Sequence, residues 1–137
     1  MNGEGARLNG GRYNSRGTAV AYVAESISLA LLEILVHVER AELLPAYVLC
    51  RVEFEESLVE RYDTELLPST WSASPPPFEV QAIGDAWVRE SRSAVLELPS
   101  AVIPSESHYL VNPAHPDFSS LRLHEPEPFE LDERLGG

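Results

Sequence analysis

Residues 10–37 read GGRYNSRGTAVAYVAESISLALLEILVH, and this stretch decides the fold. It predicts a glycine-rich loop, a short strand over residues 18–24 and one long helix from about Ile27 to Arg40. Ser26 is the predicted N-cap of that helix. Apolar side chains recur at helical spacing along one side, and further apolar residues lie on the opposite side. A helix that is apolar on both sides is expected to be buried between two layers.

Glu33 is the carboxylate that this predicted helix carries among apolar neighbours. At about 100° per residue, Glu33, His37 and Arg40 fall on one narrow polar strip. Because an unpaired buried carboxylate is costly, Glu33 must either pair with a cation or line a cavity. A structural salt bridge with an arginine and a functional site are both consistent with the pattern.

The glycine-rich loop contains no standard nucleotide-binding motif, since it has neither GxGxxG spacing nor the lysine of a Walker loop. Its glycines nevertheless allow close approach of the backbone to a ligand, and Arg12 and Arg16 could hold a phosphate. A plain tight turn explains the glycines equally well. One cysteine and scattered histidines provide no zinc-ligand spacing, so no metal site is predicted.

The charge balance of the 137-residue chain is strongly acidic, with 10 basic and 22 acidic residues and a net charge of −12. Such a chain should repel nucleic acid, whose binding depends on phosphate neutralisation, whereas it suits a basic protein partner. All basic residues are arginine, which reflects either a GC-rich genome or a need for bidentate phosphate contacts. The absence of an 18-residue apolar run and of a signal-peptide core predicts a cytoplasmic protein without a membrane span.

The remaining patterns predict an α+β fold in a single compact domain, with small mixed sheets around the buried central helix. Residues 1–9 are expected to be a flexible loop, and residues 125–137 an acidic tail anchored by Phe129. Cys50 is expected to be a small core residue, and Trp71 to pack on the core or flank a site. The other predicted elements are strands over 45–53, 94–98, 109–112 and 121–124, a helix over 83–91 and a surface loop over 66–77.

Five runs of the chain together resemble the RES domain, in the right order and over residues 10–118. These runs are GGRYN, AYVAES, ALLEILVH, GDAWVRESRSAVLELPSAVIP and HYLVNPAHPDF. The family is named for an arginine, a glutamate and a serine, which match Arg12, Glu33 and Ser100, and its tyrosine matches Tyr22.

Four other positions of these runs bear on the resemblance. Asn112 and His115 match a terminal NP-x-HP motif whose role is taken to be mainly structural. Two positions depart from the usual pattern, since Tyr13 replaces a tryptophan and His108 replaces an asparagine.

The resemblance implies an ADP-ribosyltransferase-like enzyme that cleaves NAD at the nicotinamide–ribose bond and uses no metal. As the toxin of a toxin–antitoxin module, it would deplete cellular NAD by phosphorolysis or hydrolysis and arrest growth. Glu33 would stabilise the oxocarbenium ion, while Arg12 would hold the pyrophosphate. Tyr22 would stack on nicotinamide or donate a hydrogen bond near it, and Ser100 would position a phosphate, a ribose or the nucleophile. The residues implied to contact NAD are Arg12, Tyr22, Asn14 and Ser100.

Two alternatives stay open beside NAD degradation. The first is a mono-ADP-ribosyltransferase that modifies one protein target. The second is a non-catalytic protein-binding module in which Arg12 and Glu33 form a closed salt bridge in the core. The resemblance also implies an Xre-family helix-turn-helix antitoxin as partner, with a homodimer inside the complex as a further possibility.

Overall fold

The computed structural model describes residues 1–36 and 47–136, which form three α-helices and eight strands with short 3₁₀ turns between them. The helices are α1 (Glu4–Asn9), α2 (Ile27–Leu35) and α3 (Phe78–Arg89). The strands are β1 (Ala21–Ala24), β2 (Tyr47–Leu49), β3 (Val52–Glu53), β4 (Val59–Arg61), β5 (Val95–Pro99), β6 (Ser107–Val111), β7 (Arg122–Leu123) and β8 (Glu127–Phe129). No helix within these ranges is long and apolar enough to cross a membrane.

The strands form one four-stranded mixed sheet and two small ribbons, as the α+β prediction requires. The order in the main sheet is β1-β6-β5-β4, with β6 antiparallel to both of its neighbours and β4 parallel to β5. One ribbon pairs β2 with β8 and the other pairs β3 with β7. The pairing of Tyr47 with Phe129 joins the acidic tail to β2, and the Phe129 side chain stays the predicted anchor of the tail.

The main core lies between α3, the glycine-rich loop and the central strands of the main sheet. Its fully buried side chains include Tyr13, Trp87, Leu96 and Leu110. Trp71 packs against this cluster, which is one of the two positions predicted for it. The loop and the sheet are therefore fixed to each other by a shared apolar interior.

The α2 helix begins where the sequence predicts, because the Ser26 hydroxyl accepts a hydrogen bond from the backbone N–H of Leu29 at 3.1 Å. The predicted burial between two layers is wrong. Of the α2 side chains only Leu29 is fully buried, while Ile27 and Leu32 are 42% and 39% exposed. The end of the predicted helix, with His37 and Arg40, lies outside the described residues.

Two local predictions are corrected by tertiary contacts. Residues 4–9 form α1 rather than a loop, and the Asn14 amide donates a hydrogen bond to the carbonyl oxygen of Ala6 in this helix. Cys50 is exposed and not part of the core, because it lies between β2 and β3, where the predicted strand is interrupted.

The predicted structural role of the NP-x-HP motif agrees with its hydrogen bonds. The Asn112 side chain accepts from the N–H of Ala114 at 3.0 Å, and His115 Nδ1 accepts from the N–H of Asp117 at 2.9 Å. Both contacts close the turn after β6, and neither residue lines the large cavity described below.

Candidate active site

One large cavity lies between the glycine-rich loop, α1, α2 and the loop over residues 72–76. Its volume of about 1080 Å³ is at the upper end of the usual range for small-molecule sites, about 300–1,000 Å³. Arg12, Tyr22 and Glu33 all line it, together with His108. The glycine-rich loop, β1 and α2 therefore bring a cation, an aromatic ring and a carboxylate to the same cavity.

The Glu33 carboxylate is held through one of its two oxygens. Oε1 accepts a hydrogen bond from the Ser100 hydroxyl at 2.7 Å and lies 3.3 Å from Nε2 of His108. Within residues 1–36 and 47–136 no protein donor contacts Oε2. The side chain is 20% exposed, so the carboxylate is oriented by the protein while still facing the cavity.

Ser100 lies behind Glu33 and does not line the cavity. Its buried hydroxyl donates to Glu33 and accepts from the backbone N–H groups of Val102 and Ile103, each at 3.1 Å. A serine hydroxyl has one hydrogen and two lone pairs, so these three contacts use its full capacity. The hydroxyl therefore has no donor or acceptor left for the predicted direct contact with NAD. Its contacts instead fit a role in orienting Glu33.

Arg12 is fixed by the backbone of the proline- and serine-rich loop. Its NH1 donates to the carbonyl oxygens of Trp71 and Ala73, at 2.9 and 2.8 Å. Among the residues that the structure describes, no carboxylate pairs with Arg12, and in particular Arg12 and Glu33 form no ion pair. The guanidinium charge therefore faces the cavity, where an anionic group would neutralise it.

Tyr22 contributes its ring to the cavity wall, because its hydroxyl is already engaged. The hydroxyl donates to Asn14 Oδ1 at 2.6 Å and accepts from the N–H of Tyr13 at 3.0 Å. Burial raises the pKa of Tyr22 well above its ordinary value, so the hydroxyl stays protonated. Of its two predicted roles, stacking on a planar ring fits these contacts better than a new hydrogen bond. Gly11 is needed beside it, since a Cβ there would lie 2.6 Å from the hydroxyl oxygen.

Asn14, like Ser100, is a predicted NAD-binding residue that does not line the cavity. It is fully buried beneath the glycine-rich loop. Its amide donates to the carbonyl oxygens of Ala6, Ser15 and Thr18 at 3.0 to 3.2 Å, and its Oδ1 accepts from Tyr22. Asn14 thus connects α1 to the loop and shapes the site from below.

His108 also lines the cavity, although in the sequence it stands out only as a departure from the family pattern. It lies on β6, opposite Ala24 of β1 in the antiparallel pairing, so it shares a sheet face with Tyr22. The two rings meet edge to face with centroids 6.0 Å apart. Burial lowers the pKa of His108 below its ordinary value, with Arg12 acting in the same direction and Glu33 opposing both.

Several known proteins are similar in sequence to this chain over most of its length. A protein named Toxin Res from Photorhabdus laumondii is 41% identical over 116 residues, which cover 85% of this chain and 74% of the relative. A Toxin Res from Yersinia enterocolitica is 37% identical, covering 97% and 88% of the two chains. A protein named Prs ADP-ribosylating toxin from Sphingobium is 32% identical, covering 98% and 86%.

The fold is also found in a solved structure, the M. tuberculosis MbcT–MbcA toxin–antitoxin complex. One of its chains superimposes with a TM-score of 0.77 at 20% sequence identity, covering 94% of this chain and 76% of that one. The model of the RES domain family matches residues 1–132. A match over nearly the full length, with relatives at 37 to 41% identity, shows that this chain belongs to the RES domain family.

Proposed function

We propose that this protein is the toxin of a bacterial toxin–antitoxin module and that it cleaves NAD at the nicotinamide–ribose bond. The observation that carries the proposal is the arrangement of Glu33, which Ser100 holds at 2.7 Å at the wall of the cavity that Arg12 also lines. The names of the family relatives, two of them Toxin Res and one an ADP-ribosylating toxin, support the same assignment.

Cleavage of the nicotinamide–ribose bond expels a neutral leaving group and leaves positive charge on the ribose. In the proposed mechanism Glu33 supplies the opposing negative charge and accepts a hydrogen bond from a ribose hydroxyl. Arg12 binds the pyrophosphate, and the ring of Tyr22 packs against the nicotinamide. Ser100 keeps the carboxylate in one orientation, so that little reorganisation is needed when the charge develops.

Water or inorganic phosphate then takes the ADP-ribosyl group, so that the cell loses NAD and stops growing. Transfer to a protein side chain is the second candidate, which the name of the Sphingobium relative favours. The non-catalytic alternative required a closed Arg12–Glu33 salt bridge. Instead the two side chains line one cavity without pairing, which supports an enzyme.

The proposed partner is an Xre-family helix-turn-helix antitoxin in the cytoplasm, with a homodimer of this chain inside the complex. The net charge of −12 suits a partner whose surface is basic enough to bind DNA. The likeness of the fold to one chain of a toxin–antitoxin complex agrees with that proposal.

Release of nicotinamide from NAD by the purified protein, with and without inorganic phosphate, tests the proposed reaction. We expect Glu33→Gln to lower kcat by about 10²- to 10³-fold, since the substitution removes the charge that opposes the oxocarbenium ion. Glu55→Gln is the matched control, because Glu55 is exposed and lies outside the cavity. Equally slow release by the wild type and Glu33→Gln would refute the enzyme proposal.

A further inference from the structure

His108 is a buried titratable group in the cavity wall that the proposed mechanism does not use. Its side chain is 11% exposed, and Nε2 lies 3.3 Å from Oε1 of Glu33. Because a carboxylate oxygen only accepts hydrogen bonds, this contact is favourable only when Nε2 carries a hydrogen. The neutral tautomer with its hydrogen on Nε2 meets that requirement.

A hydroxyl donor and an imidazole nitrogen from different elements thus lie close to the same carboxylate oxygen. Ser100 approaches from the end of β5 at 2.7 Å, and His108 approaches from β6 at 3.3 Å. The shorter contact is a hydrogen bond that anchors Oε1, and at the longer distance a hydrogen on Nε2 would add a second, weaker attraction to the same oxygen. A carboxylate held from two sides presents its other oxygen in one direction.

We propose that His108 is a positioning residue, which as a neutral imidazole donates its Nε2–H to Glu33 and whose protonation suppresses cleavage of NAD. The proposal rests on the proposed function of the same site. A protonated imidazole would place a full positive charge 3.3 Å from Glu33 Oε1. That charge would pair with the carboxylate and oppose the positive charge that develops on the ribose.

The groups around His108 agree with a neutral resting state. Glu33 faces it from α2, Tyr22 from β1 and Arg12 from the glycine-rich loop, while β5 contributes the uncharged Leu98 opposite it in register. Burial and Arg12 together lower the pKa of His108 more than Glu33 raises it. The imidazole is therefore neutral at pH 7 and takes up a proton only in more acidic solution.

The test is the pH dependence of kcat and KM for nicotinamide release from NAD by the wild type, His108→Gln and His108→Leu. The glutamine amide can donate near the position of Nε2 and does not titrate between pH 5 and 8. We expect His108→Gln to retain kcat at pH 8 within about threefold and to lose the acidic decline below about pH 6.5. We expect His108→Leu to lose about tenfold or more in kcat at pH 8 with little change in KM.

His124→Gln is the control, because it makes the same substitution at a histidine that does not line the cavity. It should keep the wild-type pH profile, and thermal unfolding at each pH should show that all variants are folded. An unchanged acidic decline in His108→Gln, or full kcat in His108→Leu, would overturn the role of His108 while leaving the proposed function intact. A wild type that releases no nicotinamide at any pH would overturn both proposals.

Discussion

At the scale of single residues, the site depends on a contact between side chains 67 positions apart. Glu33 and Ser100 were matched to the family glutamate and serine from the sequence, but the resemblance implied that both would face the ligand. The structure joins them by a 2.7 Å hydrogen bond and gives the remaining capacity of the Ser100 hydroxyl to two backbone N–H groups. In the proposed mechanism the serine therefore acts through the carboxylate.

We therefore expect Ser100→Ala to lower kcat for NAD cleavage by about tenfold or more while KM changes little, because the hydroxyl touches Glu33 and not the substrate. The same change leaves the N–H groups of Val102 and Ile103 without their acceptor, at a cost of about 1–3 kcal/mol in the free energy of unfolding. Steady-state kinetics and denaturant unfolding measure the two effects.

Ser105→Ala is the matched control, since Ser105 is exposed and lies outside the cavity. Its kinetics and stability should equal those of the wild type. A raised KM with unchanged kcat in Ser100→Ala would show that the serine binds the substrate directly, contrary to the geometry described above.

Individual site residues were predictable only where local pattern and family resemblance agree. Arg12, Tyr22 and Glu33 follow one another on three consecutive elements, and all three reach the cavity. His108 was missed as a cavity residue, because its proximity to Tyr22 depends on the antiparallel pairing of β1 with β6. Nothing in a single sequence reveals which strands pair.

At the scale of elements, the start of α2 was predicted from local chemistry, whereas its burial was not. The hydrogen bond of the Ser26 cap joins residues only three positions apart, so a local stretch of sequence is sufficient to predict it. The exposure of Ile27 and Leu32 depends on which faces of α2 the rest of the chain covers, and the apolar pattern alone overstated that coverage. The α1 helix was missed because its anchors, such as the Asn14 amide, come from the following loop.

The contact between α3 and the glycine-rich loop depends on Gly84. A Cβ at this position would lie 1.9 Å from the carbonyl oxygen of Tyr13, whose backbone follows Arg12 in the loop. We expect Gly84→Ala to lower the free energy of unfolding by about 1–3 kcal/mol, because either the helix or the loop must move. Thermal unfolding followed by circular dichroism measures the change.

Gly5→Ala provides the comparison, because it is the same substitution in a helix with no heavy atom within 4 Å of the new Cβ. Alanine has the higher helix propensity, so this variant should unfold at the wild-type temperature or slightly above it. Equal midpoints for Gly84→Ala and Gly5→Ala would contradict a close contact between helix and loop.

At the scale of the whole molecule, length, composition and family resemblance were sufficient for the architecture. The predicted α+β class with small mixed sheets is confirmed, and the main sheet has four strands. The order β1-β6-β5-β4 brings the first and the sixth strand together and thereby forms the wall of the site. This order arises from contacts between distant segments, which hydrophobic periodicity does not encode.

The proposed reaction also has a measurable consequence in the cell. This consequence distinguishes NAD degradation from transfer of ADP-ribose to a protein. If NAD is degraded, induced expression of the wild-type chain should lower total cellular NAD severalfold before growth stops. Glu33→Gln expressed to the same level should leave NAD unchanged, since it lacks the charge that the proposed transition state needs. Enzymatic assay of NAD in cell extracts, together with mass spectrometry of whole-cell protein, measures both quantities. A steady NAD level with one ADP-ribosylated protein would instead identify a transferase, because a scarce protein acceptor consumes little substrate, whereas water or phosphate is never exhausted.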